Sequence, residues 1–287
     1  MGIFIYSYIF LYKYSKVRTK KMKKIIKVIL FLILLAFVLP SQLAVAKSDV
    51  ESIQKKGKLV LGTSAQFPPF EWVELVDGKE TIVGVDIELA QKVAEELGVE
   101  LEIQNMSFDT LIQSVKNGRM DIAMAGISKT KERAKQVDFS IPYYESGTDI
   151  VVPAGKEGTI TKPEDLAKLR IGVQKGTIQE IYLVENGLNT NLTSMPKNDV
   201  LIETMKAGKL DAVVIDSVSA DEFLRLNEGV ITEISDVIPK DEEGGYSIVV
   251  GKGNDSLLEV INKVIEEAVE KDEINKSVEK NLELAAN

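Results

Sequence analysis

The chain of 287 residues contains no cysteine and no histidine, and only one tryptophan. Without cysteine there are no disulfides, no thiolate chemistry and no lipid-modified cysteine behind a leader. Without histidine the commonest general base and the commonest metal ligand are missing, which excludes a Ser-His-Asp triad and His-ligated zinc. Acidic residues are absent from the first 46 positions, which carry eight basic ones. Taking those eight from 35 leaves 27 basic against 44 acidic residues in the remaining 241, a net charge of −17. Such a surface repels phosphate backbones, so no nucleic-acid partner is expected. Nothing in the composition points to a cofactor, a metal or a catalytic group.

What is present begins with a leader. Met22-Lys23-Lys24, the apolar run 28–39, Pro40 and Ala44-Val45-Ala46 have the three-part layout of a secretory signal with an Ala-x-Ala site. The run is short of the ~20 apolar residues that a membrane span needs. Cleavage after Ala46 is therefore expected, with Met22 as the start and 1–21 as an upstream extension. The alternative is an uncleaved membrane anchor.

Beyond the leader one phrase is written twice. Asn117-Gly118-Arg119-Met120-Asp121 and Ala207-Gly208-Lys209-Leu210-Asp211 each read as a helix end, a glycine stop, a basic residue and an aspartate opening an apolar strand. A helix–strand unit repeated at this distance predicts two similar α/β lobes with a cleft between them. The first lobe reads as strand 57–63, a loop over 64–71, a hairpin turning at Asp77-Gly78, a helix capped by Asp86, strand 99–103, helix 107–117 and strand 120–126. The order restarts at 170–173, with a helix from about 177, a helix capped by Asn198 or Asp199, strand 210–215 and helix 217–226. The extended stretches 148–152 and 246–250 are suited to be the crossings between lobes, and the amphipathic tail 255–284 to pack on lobe 1. The expected boundaries are 47–147 and 241–287 for lobe 1, and 148–240 for lobe 2.

In an open α/β sheet, ligands bind beyond the carboxyl ends of the strands. That rule selects 64–70, 125–133, 174–179 and Asp216. Arg133 offers a planar fork for a carboxylate, and Asp216 the opposite charge for an ammonium. Ser128 and Thr177 offer hydroxyls. Gly126 and Gly176 leave backbone groups open, the amides of Thr177 and Ile178 begin a helix, and Phe67 and Phe108 can flank a side chain. Together these suit the zwitterion of a free α-amino acid. Each residue also has a plainer reading: Arg133 sits in a charge run, Asp216 can cap the helix from Ser217, and the two phenylalanines can be core.

The stretches Gly62-Thr63-Ser64-Ala65-Gln66-Phe67-Pro68-Pro69-Phe70-Glu71, Val83-Gly84-Val85-Asp86 and Ala125-Gly126-Ile127-Ser128 through Arg133 resemble bacterial extracellular solute-binding proteins of polar amino-acid ABC transporters. So do Asp138-Phe139-Ser140-Ile141-Pro142-Tyr143-Tyr144, Gly172-Val173-Gln174-Lys175-Gly176-Thr177 and 211–216, in unbroken order over the whole chain beyond the leader. The resemblance implies a two-lobed periplasmic-binding-protein-like fold of type II, with two Rossmann-like lobes joined by a two-stranded hinge near 145–150 and 238–245. It implies that Arg133 clamps the ligand α-carboxylate with Ser128 and Thr177. Asp216 and the Gly126 backbone then hold the ammonium, while Phe67 and Phe108 sandwich the side chain. Ser64, Ala125, Gln174, Gly176, Ile178 and Gln179 complete the expected wall. The implied partners are a free amino acid and a membrane permease, with the protein itself a monomer outside the cytoplasm.

Two departures bear on the ligand. The family's lipid-anchoring cysteine is missing, and Ser64 stands where binders of cationic side chains often carry aspartate. Glu71 and Glu145 are the candidate substitutes. Arginine or another basic amino acid is expected first and glutamine next. The other classes are a dehydratase-type enzyme on the same fold, and an adhesin or sensor. The duplicated Asp121 and Asp211 read as scaffold.

Overall fold

The computed structural model describes residues 50–240 and 245–286, so the leader and its cleavage site lie outside the described residues. In chain order, lobe 1 opens with α1 (Val50–Lys56), β1 (Lys58–Thr63), β2 (Gln66–Phe67), β3 (Glu71–Val76), β4 (Lys79–Val83) and α2 (Val85–Leu97). There follow β5 (Glu100–Asn105), a 3-10 turn at Phe108–Thr110, α3 (Leu111–Lys116), β6 (Ile122–Ala123), α4 (Lys131–Ala134) and β7 (Val137–Tyr144). Lobe 2 holds β8 (Thr148–Pro153), β9 (Ile171–Gln174), α5 (Ile178–Glu185), β10 (Leu192–Met195), α6 (Asn198–Lys206), β11 (Ala212–Asp216), α7 (Ser217–Leu226) and β12 (Ile231–Ile234). The chain then returns through β13 (Tyr246–Gly251), α8 (Asp255–Glu270) and α9 (Glu273–Ala285).

The two large sheets share one plan, β5-β1-β6-β13-β7 and β10-β9-β11-β8-β12. In each, three strands run parallel and the fourth position is antiparallel to both of its neighbours. Both faces of each sheet are covered, as near-continuous apolar strands require. Leu59, Leu61 and Ile248 pack against α2 and α8, while Val60, Ala123 and Val249 pack against Leu111 and Val115 of α3. In lobe 2, Val173 and Val214 meet Leu183 of α5, and Val151 and Val213 meet Leu201 and Met205 of α6.

The duplicated phrase performs the same joinery in both lobes. Asp121 Oδ2 accepts the Val60 amide at 2.7 Å, and Asp211 Oδ2 accepts the Arg170 amide at 2.8 Å. Each aspartate thereby fixes the entry of the third strand beside the first.

Several elements differ from the sequence reading. The stretches read as crossings are interior strands: β8 lies between β11 and β12, and β13 between β6 and β7. Their apolar runs reflect burial on both faces rather than exposure at a hinge. The outward crossing is the three residues 145–147, and the return lies between β12 and β13, where 241–244 fall outside the described residues. Asp86 does not cap α2, whose N-cap is Gly84; it is buried in the first turn and accepts the Tyr143 hydroxyl at 2.7 Å. The N-cap of α6 is Lys197, so Asn198 is its first residue. The loop after β1 contains β2, which pairs with β3. The tail, by contrast, is helical as read, in two helices of which α8 packs on α2 and β7 of lobe 1.

Candidate functional site

The carboxyl ends of β1, β6, β9 and β11 face one another across the cleft between the sheets. There Ser64, Phe67, Phe108, Ala125, Gly126, Ser128, Arg133, Gln174, Thr177, Ile178, Gln179 and Asp216 line one cavity, joined by Gln66, Glu71, Asn198 and Ser219. Its free volume is ≈ 50 Å³, a narrow space between lobes already drawn together by contacts such as Arg133 to the Gly176 carbonyl.

Arg133 belongs to the wall and not to a solvated charge run. It is 7% exposed, held by α4, whose N-cap Thr130 accepts the Arg133 amide at 3.1 Å. Its guanidinium donates to the Ser128 carbonyl at 2.5 Å and to the Gly176 carbonyl at 2.8 Å. The Phe108 ring centroid lies 5.8 Å from its Cζ, within cation–π range. Burial lowers its pKa to about 10, which leaves it charged at neutral pH.

Asp216 caps a helix and also stands in the cleft wall. Its Oδ1 caps α7, accepting the Val218 amide at 2.9 Å, and accepts the Ser146 hydroxyl at 3.0 Å. The same carboxyl lines the cleft. Burial pushes its pKa up to about 6, against hydrogen bonding from Tyr246 and its cap donors. Thr177 likewise caps α5, accepting the Glu180 amide at 3.2 Å while its hydroxyl donates to the Gln174 carbonyl at 2.7 Å.

Gly126 has φ +57°, and a Cβ there would meet the Phe67 ring at 2.6 Å. The absent side chain lets that ring lie against the backbone at the floor of the cleft. Gly176 is the one expected wall residue that does not line the cavity. Its carbonyl is taken by Arg133, its amide donates to Glu180 Oε2 at 2.6 Å, and a Cβ would meet that of Asp109 at 2.9 Å. It forms part of the seam between lobes, beside the Lys175–Asp109 ion pair at 2.8 Å.

Glu71 is fully buried and lines the cavity, whereas Glu145 is exposed and does not. The Glu71 carboxyl is hydrogen-bonded to that of Asp86, which requires a proton between the two. Burial, then the Asp86 carboxyl beside it, hold its pKa well above the usual range. Burial also raises Asp86, to about 7. Behind them Phe67, Phe70, Tyr143, Tyr144 and Tyr246 form a continuous ring cluster with centroids 5.0–6.3 Å apart. Gln66 and Asn198 were not singled out for the cleft by sequence, the first because it lies unremarked inside a motif and the second because its position suggested a cap.

Residues 59–283 match the bacterial extracellular solute-binding proteins, family 3. The chain belongs to this family. Family 3 members are binding proteins and not enzymes, and the fold seen here is their two-lobed type II fold. The chain is 34% identical over 237 residues to the arginine-binding extracellular protein ArtP of Bacillus subtilis, covering 81% of this chain and 89% of that relative. Among solved structures it resembles the amino acid ABC transporter substrate-binding protein AbpA of Streptococcus pneumoniae bound to L-arginine. That likeness has a TM-score of 0.78 and 39% identity, covering 83% of this chain and 99% of the other. An ancestral arginine-binding protein bound to glutamine matches with a TM-score of 0.70 and 36% identity, covering 78% and 97%.

Proposed function

We propose that this family 3 protein is the receptor of an ABC importer for a free basic amino acid, arginine first, with glutamine next. Arg133, helped by Ser128 and the α5 N-terminus at Thr177 and Ile178, receives the ligand carboxylate. Asp216 and the backbone at Gly126 receive the ammonium, and Phe67 and Phe108 enclose the side chain. The lobes, bounded as 47–147 with 241–287 and as 148–240, close on the ligand about the two crossings. The closed form is delivered to a membrane permease. A ligand that touches Arg133 and Asp216 together binds the closed form better than the open one, as any population shift requires.

One observation carries the choice of a basic side chain. The charged residues lining the cleft are Glu71, Arg133 and Asp216, two carboxyls against one guanidinium. Burial raises Glu71, and a cationic side chain beside it favours the ionised carboxyl, which a neutral side chain would leave without a countercharge. Burying an uncompensated charge is costly, so the balance favours arginine or lysine over glutamine. Glu71 thus takes the part for which Ser64 has no charge. The names of ArtP and of arginine-bound AbpA agree with arginine, and nothing among the relatives favours a dehydratase-type enzyme, an adhesin or a sensor.

The protein acts outside the cytoplasm as a monomer, released by cleavage after Ala46 or held by its uncleaved leader, since the sequence has no cysteine for a lipid anchor. A thermal-shift screen of the twenty amino acids tests the reading, because binding to the native state alone raises the melting temperature. L-arginine should give the largest rise. A largest rise with an acidic or purely apolar amino acid would refute the assignment. Light scattering, the mass of the secreted N-terminus and uptake in a deletion strain check the monomer, the cleavage and the transport role.

A further inference from the structure

Among the cleft-wall side chains with no part in the reading above are Gln66 in β2 of lobe 1 and Asn198 at the start of α6 in lobe 2. Both line the cavity, and Asn198 is 7% exposed. The Gln66 side-chain nitrogen lies 3.1 Å from Ser64 Oγ and 3.5 Å from the Pro196 carbonyl oxygen. That carbonyl can only accept, so it fixes the amide with its nitrogen toward lobe 2 and leaves Oε1 as an acceptor. The contact also brings Gln66 to within two residues of Asn198 along the chain.

The oxygens Gln66 Oε1 and Asn198 Oδ1 are shielded from solvent, and neither accepts a hydrogen bond from a described residue. Beside them Glu71 has, among the described residues, only the Asp86 carboxyl for a partner. Two buried amide oxygens therefore line one cleft with no donor to answer them, next to a buried carboxyl. Buried polar atoms are almost always paired, and an unpaired one is costly, so such a wall is shaped for a group rich in donors. A guanidinium presents five N–H donors in a planar fork, an ammonium three on one point, and a carboxamide two.

We propose that the amide oxygens of Gln66 and Asn198, one from each lobe, accept hydrogen bonds from the guanidinium end of the ligand and make the cleft select it over an ammonium or a carboxamide. This rests on the reading of the ligand as a basic amino acid. Glu71 supplies the countercharge, which arginine and lysine use equally. The two amides supply directional acceptors that the planar fork can reach in addition to the carboxylate. Because they come from opposite lobes, they meet the same group only when the cleft is shut.

Calorimetric titration of the full chain with L-arginine, L-lysine and L-glutamine tests this, comparing the unmodified protein with Gln66→Met, Asn198→Leu and Asn198→Asp. Each apolar variant should weaken arginine by about tenfold while changing lysine and glutamine by less than about threefold. Asn198→Asp, which keeps the shape, should raise the arginine-to-glutamine affinity ratio, and it serves if an apolar variant fails to fold. Arginine bound with the arginine-to-lysine and arginine-to-glutamine ratios unchanged in the folded variants would overturn the proposal alone. An unmodified protein that binds neither arginine nor lysine would overturn the reading beneath it.

Discussion

Arg133 of lobe 1 donates from Nη2 to the Gly176 carbonyl of lobe 2 across 2.8 Å, so the residue assigned to the ligand carboxylate also joins the lobes. Removing it takes away a buried charge-assisted donor and a bond of the closed form together. Arg133→Ala should weaken amino-acid binding by more than about a hundredfold, in line with truncation of a buried charged partner. Arg133→Lys should restore little, since a point charge does not reproduce the two-pronged fork. Unchanged calorimetric affinity in Arg133→Ala would remove Arg133 from the site.

Gly176 tests closure separately from chemistry. It has φ +82° and lies against Asp109, so Gly176→Ala introduces a clash at 2.9 Å across the seam while leaving every cleft-lining side chain in place. The variant should bind arginine about tenfold more weakly and remain more open at saturating ligand. Small-angle scattering with and without arginine reads this; full compaction at normal affinity would show that the seam does not limit closure.

The paired carboxyls predict a pH dependence with a definite sign. Glu71 is raised by burial and by Asp86, and burial raises Asp86 to about 7 and Asp216 to about 6. The groups facing the pair are the Tyr143 hydroxyl, Asp216 and, beyond it, Tyr246. The native state holds protons that the unfolded chain releases near pH 4, so ligand-free stability falls as pH rises from about 4 to about 7. A cationic ligand favours the ionised pair, so its binding expels protons and tightens as pH rises through that window. Melting temperatures from pH 4 to 8 and titrations in buffers of different ionisation enthalpy measure both effects. Glu71→Gln should flatten the melting profile and abolish the preference for cations; a profile that keeps its slope in Glu71→Gln and in Asp86→Asn would place the titration elsewhere.

The duplicated aspartates predict the opposite phenotype. Asp121→Ala strands the buried Val60 amide and should cost about 1–3 kcal/mol of stability. Asp211→Ala, whose Arg170 partner is half-exposed, should cost less. Neither should change arginine affinity in protein that remains folded, as denaturant titration beside calorimetry would show.

Most of the cleft was legible because strand ends carry signals of their own. Gly126 beyond β6, Gln174 as the last residue of β9 and Asp216 as the last of β11 can each be placed by finding the strand. Glu71 emerged as a candidate because Ser64 lacked a charge, and burial then separated it from Glu145. What local sequence does not carry is the effect of the other lobe. The contacts of Gly176 exist only across the seam, and Asn198 faces the cleft through the packing of α6 on its sheet. The strands β8 and β13 were misassigned for a related reason: an apolar run states that it is buried, not which strands flank it.

The position of β13 also bears on how such a chain is made. It separates β6 from β7 at the middle of the first sheet, yet it follows all of lobe 2 in the sequence. A polypeptide emerging N-terminus first therefore has β6 and β7 without the strand that joins them until some forty residues from its end. Lobe 2, whose strands are contiguous, has no such wait. Lobe 1 can therefore complete its first sheet only after the whole of lobe 2 has been made.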